Sequence, residues 1–353
     1  MAQTILEVSE FIGKLINEKL PVIDARSEHE FLHASVPGAV NVPLLNDEDR
    51  KIVGTLYKQK GREAAILKGF EVAGPRFHSM ILKALEHAPD KKVMMYCWRG
   101  GMRSSILAWI LGMNGFTVYL LKGGYKAFRN WTLDTFDVPK KVLVLGGATG
   151  SGKTEILNLL AQQGEQVIDL EALANHKGSA FGSLGKGAQP FNEMFENRLA
   201  FEWHQLDKNR HVWLENESRS IGACTLPASI YNLIRTSELV DVNVGDDSRK
   251  KRIARDYGCF PAKVLAEVTT KLSKRMGPQH AKEAVGCLES GDFDGWLEKV
   301  LAYYDKLYNY GNTLRDVTKI HPVDLVGKEE QEIAHILIEL GNNLMNTKTV
   351  ELS

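Results

Sequence analysis

Val142-Leu143-Val144-Leu145-Gly146-Gly147-Ala148-Thr149-Gly150-Ser151-Gly152-Lys153-Thr154 reads as an apolar strand running into a glycine-rich loop, and Glu155 to Gln162 continues with helical periodicity. Gly147 to Thr154 completes the pattern G-x-x-x-x-G-K-[ST] between a strand and a helix, the setting in which such a loop cradles phosphates. The amides around Gly147, Gly150, Ser151 and Gly152 would hold the phosphates, Lys153 would neutralise the terminal ones, and Thr154 would help hold Mg²⁺. The metal also needs a carboxylate from a neighbouring strand end. Asp169, Glu215 and Glu217 are the candidates, with Glu215 placed best behind Val212-Trp213-Leu214, although each could instead cap a helix.

A second anion loop lies about fifty residues upstream. Val93-Met94-Met95-Tyr96 is a short apolar strand, Cys97-Trp98-Arg99-Gly100-Gly101-Met102-Arg103 follows, and Ser104 to Leu111 reads as a helix. A sulfur at a strand-to-helix turn gains from converging amides and the helix N-terminus, both of which favour negative charge. Gly100 and Gly101 let the backbone curl inward, while Arg99 and Arg103 supply guanidiniums for a tetrahedral oxyanion. Cys97, Arg99 and Arg103 are therefore the candidate catalytic residues.

The wider chain agrees with two α/β domains. Val8 to Ile16 has helix periodicity, Pro21 to Asp24 and Thr117 to Leu121 read as strands, and Val167 to Leu170, Val212 to Glu215 and Val240 to Val244 read as strands of a second unit. The expected division is 1–131, a linker at 132–140, and 141–353, with mostly helical signals after Pro261. Ligands of such parallel sheets sit beyond the carboxyl ends of the strands, where both loops fall. With 44% hydrophobic and 25% charged residues and no apolar run long enough to span a bilayer, the expectation is a cytoplasmic protein without a membrane partner. The four cysteines form no Cys-x-x-Cys pair, which fits a reducing compartment and a free thiol at Cys97. A formal net charge of zero argues against a generic nucleic-acid coat, yet two basic clusters stand out. One is Lys58, Lys60, Arg62 and Lys68. The other is Arg249, Lys250, Lys251, Arg252 and Arg255, of which Lys250, Lys251, Arg252 and Arg255 are read as either a lid over the phosphates or a contact for RNA.

The first half resembles a rhodanese domain. The resemblance rests on Val22-Ile23-Asp24-Ala25-Arg26-Ser27, Glu30-Phe31, Val36-Pro37-Gly38-Ala39-Val40-Asn41-Val42-Pro43, the Cys97 loop and the closing Leu121-Lys122-Gly123-Gly124-Tyr125. Five residues separate Cys97 from Arg103, one more than in the usual sulfurtransferase loop and the spacing of related cysteine phosphatases; Tyr96 stands where those phosphatases place His. The larger loop suits phosphate or selenophosphate. The segment Leu45 to Phe77 is longer than a minimal rhodanese needs.

A rhodanese domain followed by a phosphate-loop domain is similar to the tRNA 2-selenouridine synthase family, and the likeness extends to Glu215-Asn216-Glu217-Ser218-Arg219 and Tyr303-Tyr304-Asp305-Lys306-Leu307-Tyr308. The fold implied is α/β, an N-terminal rhodanese-like domain and a C-terminal P-loop NTPase-like parallel-sheet domain with a helical C-terminal part. The resemblance implies exchange of sulfur for selenium in a wobble 2-thiouridine of tRNA. Selenophosphate is the implied donor, geranyl diphosphate a co-substrate, and a selenophosphate-supplying protein a partner. The competing reading of the residues alone is an ATP-dependent small-molecule kinase fused to a sulfurtransferase or phosphatase domain.

Overall fold

The computed structural model describes residues 3–350, with side chains through 345. It divides into two compact units, residues 1–137 with 193–201, and 138–192 with 202–353.

The first unit is built on five strands, β1 (Gln3–Leu6), β2 (Val22–Asp24), β3 (Val40–Asn41), β4 (Lys92–Tyr96) and β5 (Thr117–Leu121), paired in parallel in the order β1-β5-β4-β2-β3. Successive side chains on a strand point to opposite faces. Val93, Met95 and Cys97 accordingly join one apolar cluster with Leu107, Ala108 and Leu111 of the helix Met102–Met113. Met94 and Tyr96 join the other, with Phe11, Ile12 and Phe128. Covered on both faces, β4 offers chemistry only at its end, where Cys97 follows.

The Asp24–Arg26 motif is a brace beneath that end. Arg26 and Asp24 are both buried and pair at 2.7 Å, Arg26 also donates to the carbonyl of Ala34 at 2.6 Å, and its guanidinium lies 3.9 Å from the centre of the Tyr125 ring. The segment after β3 forms two consecutive helices, Asp47–Lys60 and Arg62–Ala73. The first begins where Asn46 Oδ1 accepts from the Asp49 amide at 2.8 Å, carries Asp47, Glu48 and Asp49 in its first turn and Lys58 and Lys60 in its last, and buries none of its residues. Capping and charge placement stabilise it locally.

The second unit holds β6 (Lys141–Gly146), β7 (Gln166–Ile168), β8 (His211–Glu215), a hairpin of β9 (Ser220–Ile221) and β10 (Cys224–Thr225), β11 (Glu238–Asn243) and β12 (Ile320–Asp324). Its main sheet is parallel in the order β12-β11-β6-β8-β7. Leu143 and Leu145 of β6 pack with Leu157 and Leu160 of the helix Lys153–Gln162, which fixes that helix on the strand that delivers the phosphate loop.

Two expectations change. The helix Gly124–Thr135 runs into the stretch read as linker, with Thr132 and Thr135 buried, because polar side chains there face inward and hide the periodicity. The first unit takes in residues 193–201, which no local pattern reveals: Asn197 is fully buried and donates to the Ser35 carbonyl at 3.0 Å and to Tyr125 Oη at 2.8 Å. The C-terminal part is mostly helical, as its signals indicate, and β12 is the strand they do not reveal. Pro322 masks it in the sequence, and an edge strand tolerates the missing amide.

Asp24→Ala should leave the Arg26 charge buried without its partner and cost about 3–5 kcal/mol, read as a lower urea midpoint; a loss below about 1 kcal/mol would mean the pair contributes little.

Candidate functional site

The Cys97 loop is held from below. Tyr125 N donates to the Cys97 carbonyl at 2.8 Å and Lys126 N to the Trp98 carbonyl at 3.0 Å. This closeness explains the closing glycine motif: a Cβ on Gly124, whose φ is +62°, would lie 2.2 Å from Cys97 O and 2.3 Å from Gly100 N. Above, the sulfur accepts from the Gly101 amide at 3.3 Å and from Ser104 Oγ at 3.1 Å. Ser104 was not singled out in the sequence; its position directly after Arg103, at the first turn of the helix, was the available signal.

The two arginines differ. Arg103 pairs with Glu30 at 2.6 Å, and Glu30 also meets Arg50 at 2.8 Å; although burial opposes it, Arg103 and Arg50 keep the Glu30 carboxyl below its usual range. Arg99 is exposed and has no hydrogen-bond or ion-pair partner among the described residues. Neither guanidinium hydrogen-bonds to the sulfur among the described residues. Trp98 and Arg103 line a polar cavity of about 370 Å³ together with Arg26, His29, His33 and Arg50. The four cysteines are free.

In the second unit the phosphate loop is shaped as its motif requires. Gly147, Gly150 and Gly152 have positive φ, and a Cβ on Gly150 would stand 3.0 Å from the Arg249 carbonyl and 2.9 Å from Ile253 Cδ1. Lys153 Nζ turns onto its own loop, donating to the Gly147 carbonyl at 3.2 Å. Thr154 Oγ1 donates to Glu171 Oε2 at 3.2 Å, so Glu171, which follows Asp169 by two residues, is the carboxylate on the threonine. Glu215 lies deeper: its Oε2 accepts from the Glu171 amide at 3.1 Å, and its buried Oε1 has no hydrogen-bond donor among the described residues. Asp169 caps the helix Leu170–Ala174 through the Ala172 amide at 2.7 Å, the capping alternative open in the sequence.

These carboxyls crowd one another. Burial, and then the charge of Glu217, push Glu171 up to about 7 against the pull of Lys153. Burial, reinforced by Asp169, Glu171 and Glu217, holds Glu215 well above the usual carboxylate range, and burial also raises Glu217. Among the described residues no three His, Cys, Asp or Glu side chains form an all-protein metal cage. A hydroxyl beside one or two carboxylates, with an unpartnered buried oxygen, instead suits Mg²⁺ shared with phosphates and water.

The second basic cluster closes over this loop. Arg249 Nε donates to the Thr149 carbonyl at 2.9 Å and Arg252 to the Gly150 carbonyl at 2.7 Å, while Arg252 and Arg255 meet Glu155 at 2.9 and 2.6 Å. Lys250 pairs with Glu298 at 2.7 Å, and Lys251 is exposed with no partner among the described residues. One of the late tyrosines also serves the loop. Tyr308 Oη accepts from the Gly147 amide at 2.6 Å and donates to Asp241 at 2.5 Å, while Tyr303 and Tyr304 pack together with ring centres 5.0 Å apart.

Fold and loops define a rhodanese-like domain joined to a phosphate-loop domain. Residues 7–130 match the rhodanese-like domain family and residues 140–339 the tRNA 2-selenouridine synthase AAA domain. The chain belongs to the tRNA 2-selenouridine synthase family. Relatives bearing that name include one from Shewanella denitrificans, 33% identical over 88% of this chain and 93% of its own length. Another, from Nitrosomonas europaea, is 41% identical over 67% and 63%, and one from Pseudomonas syringae pv. syringae is 32% identical over 93% and 97%. No helix among the described residues is long and apolar enough to cross a membrane.

A carboxyl raised by folding stabilises the fold below its unfolded value of about 4.3 and loses that contribution as pH rises through its folded value. Thermal melts without metal should therefore show the second unit weakening between about pH 4.5 and 7, by on the order of 3 kcal/mol for Glu171. Glu171→Gln should flatten the slope, and an unchanged profile would mean that Glu171 is not the group that titrates.

Proposed function

We propose that this chain replaces the sulfur of a wobble 2-thiouridine in tRNA by selenium, with selenophosphate as donor and an S-geranyl intermediate made from geranyl diphosphate. The observation that carries the reading is the Cys97 sulfur held by the Gly101 amide and Ser104 hydroxyl in a loop that borders a polar cavity. It occurs in a family whose members are named for 2-selenouridine synthesis.

In the first step the thiocarbonyl sulfur attacks C1 of geranyl diphosphate. The C1–O bond breaks with its electron pair going to diphosphate, and the base loses its N3 proton to solvent. The loop amides from Gly147 to Thr154 and Lys153 would stabilise the departing charge, with Arg252 positioned above the loop. Thr154 with Glu171 and Glu215 would hold Mg²⁺, which when bound neutralises negative charge on the diphosphate.

In the second step selenium of selenophosphate attacks C2. The C2–Se bond forms, and the C2–S bond breaks to give geranylthiolate, which takes a proton. The Cys97 sulfur then takes the phosphoryl group, releasing 2-selenouridine, and water cleaves the S–P bond to give phosphate and the free thiol. Arg99 and Arg103 hold the oxyanion. The Ser104 hydroxyl on the sulfur eases its departure from phosphorus. This route changes no oxidation state overall, whereas a perselenide on Cys97 would leave selenium bridging two atoms and call for an added thiol reductant.

Mass analysis of the wobble nucleoside, after thiolated tRNA is given geranyl diphosphate and then selenophosphate, tests both steps. Cys97→Ala is expected to keep geranylation and lose selenation; Lys153→Ala should lower geranylation by roughly 10²–10³-fold. Full selenation by Cys97→Ala or normal geranylation by Lys153→Ala would defeat the respective assignment, and a requirement for ATP hydrolysis would favour a kinase.

For tRNA, the first basic cluster is better disposed than the second. Lys58, Lys60 and Arg62 are exposed and without partners among the described residues, whereas Arg252 and Arg255 are engaged at the phosphate loop. Replacing these three by Ala should reduce the slope of log affinity against log salt by about two to three; an unaltered slope would move the RNA contact elsewhere.

A further inference from the structure

The helices Asp47–Lys60 and Arg62–Ala73 leave an apolar cavity of about 300 Å³ whose other wall is Met102, Arg103 and Ile106, at the end of the Cys97 loop. Leu44, Val53, Ile66 and Phe77 line its interior, while Tyr57 and Phe70 stand at 59% and 45% exposure. The first of these helices has no fully buried residue, and it contributes Val53, which also packs on the core, and Tyr57 to the lining. Arg103 belongs to this cavity and to the polar cavity of about 370 Å³ alike. The catalytic loop therefore stands between a polar chamber and an apolar one.

We propose that the apolar cavity holds the ten-carbon chain of the S-geranylated nucleoside while selenium displaces it, acting as a leaving-group pocket. The inference rests on the two-step reading above. In that reading the substrate of the second step has a polar base on one side of the reacting C2–S bond and a branched hydrocarbon on the other, the same division that Arg103 marks between the two chambers. A cavity of this volume suits a small ligand lined by apolar groups. Arg62 is the other charged group in the lining, and Glu30 engages Arg103, so the interior offers a hydrocarbon chain few groups that need water. The pocket thereby assigns a task to the insertion between Leu45 and Phe77: it selects the geranylated intermediate over the unalkylated thiouridine.

The test isolates the second step. Anticodon stem-loop RNAs carrying S-geranyl-, S-dimethylallyl- or S-methyl-2-thiouridine are given selenophosphate and the full chain, and selenation is followed as kcat/KM. Each buried methylene is worth about a fourfold factor. In a partly open pocket the geranyl substrate should exceed the dimethylallyl one by on the order of a hundredfold. Ile66→Trp, which fills the cavity, and Phe70→Asp, which makes its rim polar, should collapse that preference towards one. Phe70 is exposed enough for the second variant to carry the test if the first does not fold. Equal rates for all three RNAs, or a preference that survives both variants, would overturn the pocket and leave the two-step reading standing. Failure of the wild-type chain to selenate the S-geranyl RNA would overturn that reading as well.

Discussion

A strand covered on both faces can act chemically only where it ends. β4 and β6 each lie inside a wholly parallel sheet, each is packed by helices, and each runs directly into a loop that opens a helix at the carboxyl end of the sheet. Everything that distinguishes the two loops follows from what is placed at that end. In one it is a sulfur with a hydroxyl and an amide directed at it; in the other it is a curled run of glycines ahead of a lysine and a threonine. The fold supplies the same electrostatic opportunity twice, and in the proposed reaction the side chains would turn it to nucleophilic chemistry in one case and leaving-group stabilisation in the other.

Charge is balanced differently around the loops. Near Cys97, Glu30 engages Arg103 and Arg50 at the polar cavity, while Arg99 has no partner among the described residues. Beneath the phosphate loop the imbalance runs the other way, with several carboxyls pressed together and protons favoured on them. Such crowding is unfavourable for an empty site and favourable for one that receives a divalent cation.

Both loops, their flanking strands and their helices were legible because local patterns encode them: apolar runs of strand length, glycines at the turn, and a lysine at fixed spacing. What escaped was the part determined by distant contacts. Glu171 reaches Thr154 from a five-residue helix with no motif of its own. Ser104 reads in the sequence as an ordinary helix start, and only the fold puts its hydroxyl on the sulfur. β12 contains a proline that a sequence pattern reads as a breaker, yet its register against β11 is continuous from Leu239–Ile320 to Asn243–Asp324. The arginines from 249 to 255 are ambiguous as a string of charges, and only the fold brings Arg249 and Arg252 onto carbonyls of the phosphate loop.

The helical segment from Glu193 to Phe201 has a consequence for how the chain is made. It gives the first unit Asn197, whose amide satisfies the Ser35 carbonyl and the Tyr125 hydroxyl, Met194 in an apolar cluster, and Glu196 beside Arg129. During synthesis the unit that carries Cys97 therefore stays incomplete after its own sheet has emerged, with Tyr125 and Arg129 short of these partners until residue 201 has left the ribosome. Two of the five strands of the second unit's main sheet, β6 and β7, lie between the first unit's own sheet and this segment, so the order of the genetic message and the order of structural completion are interleaved.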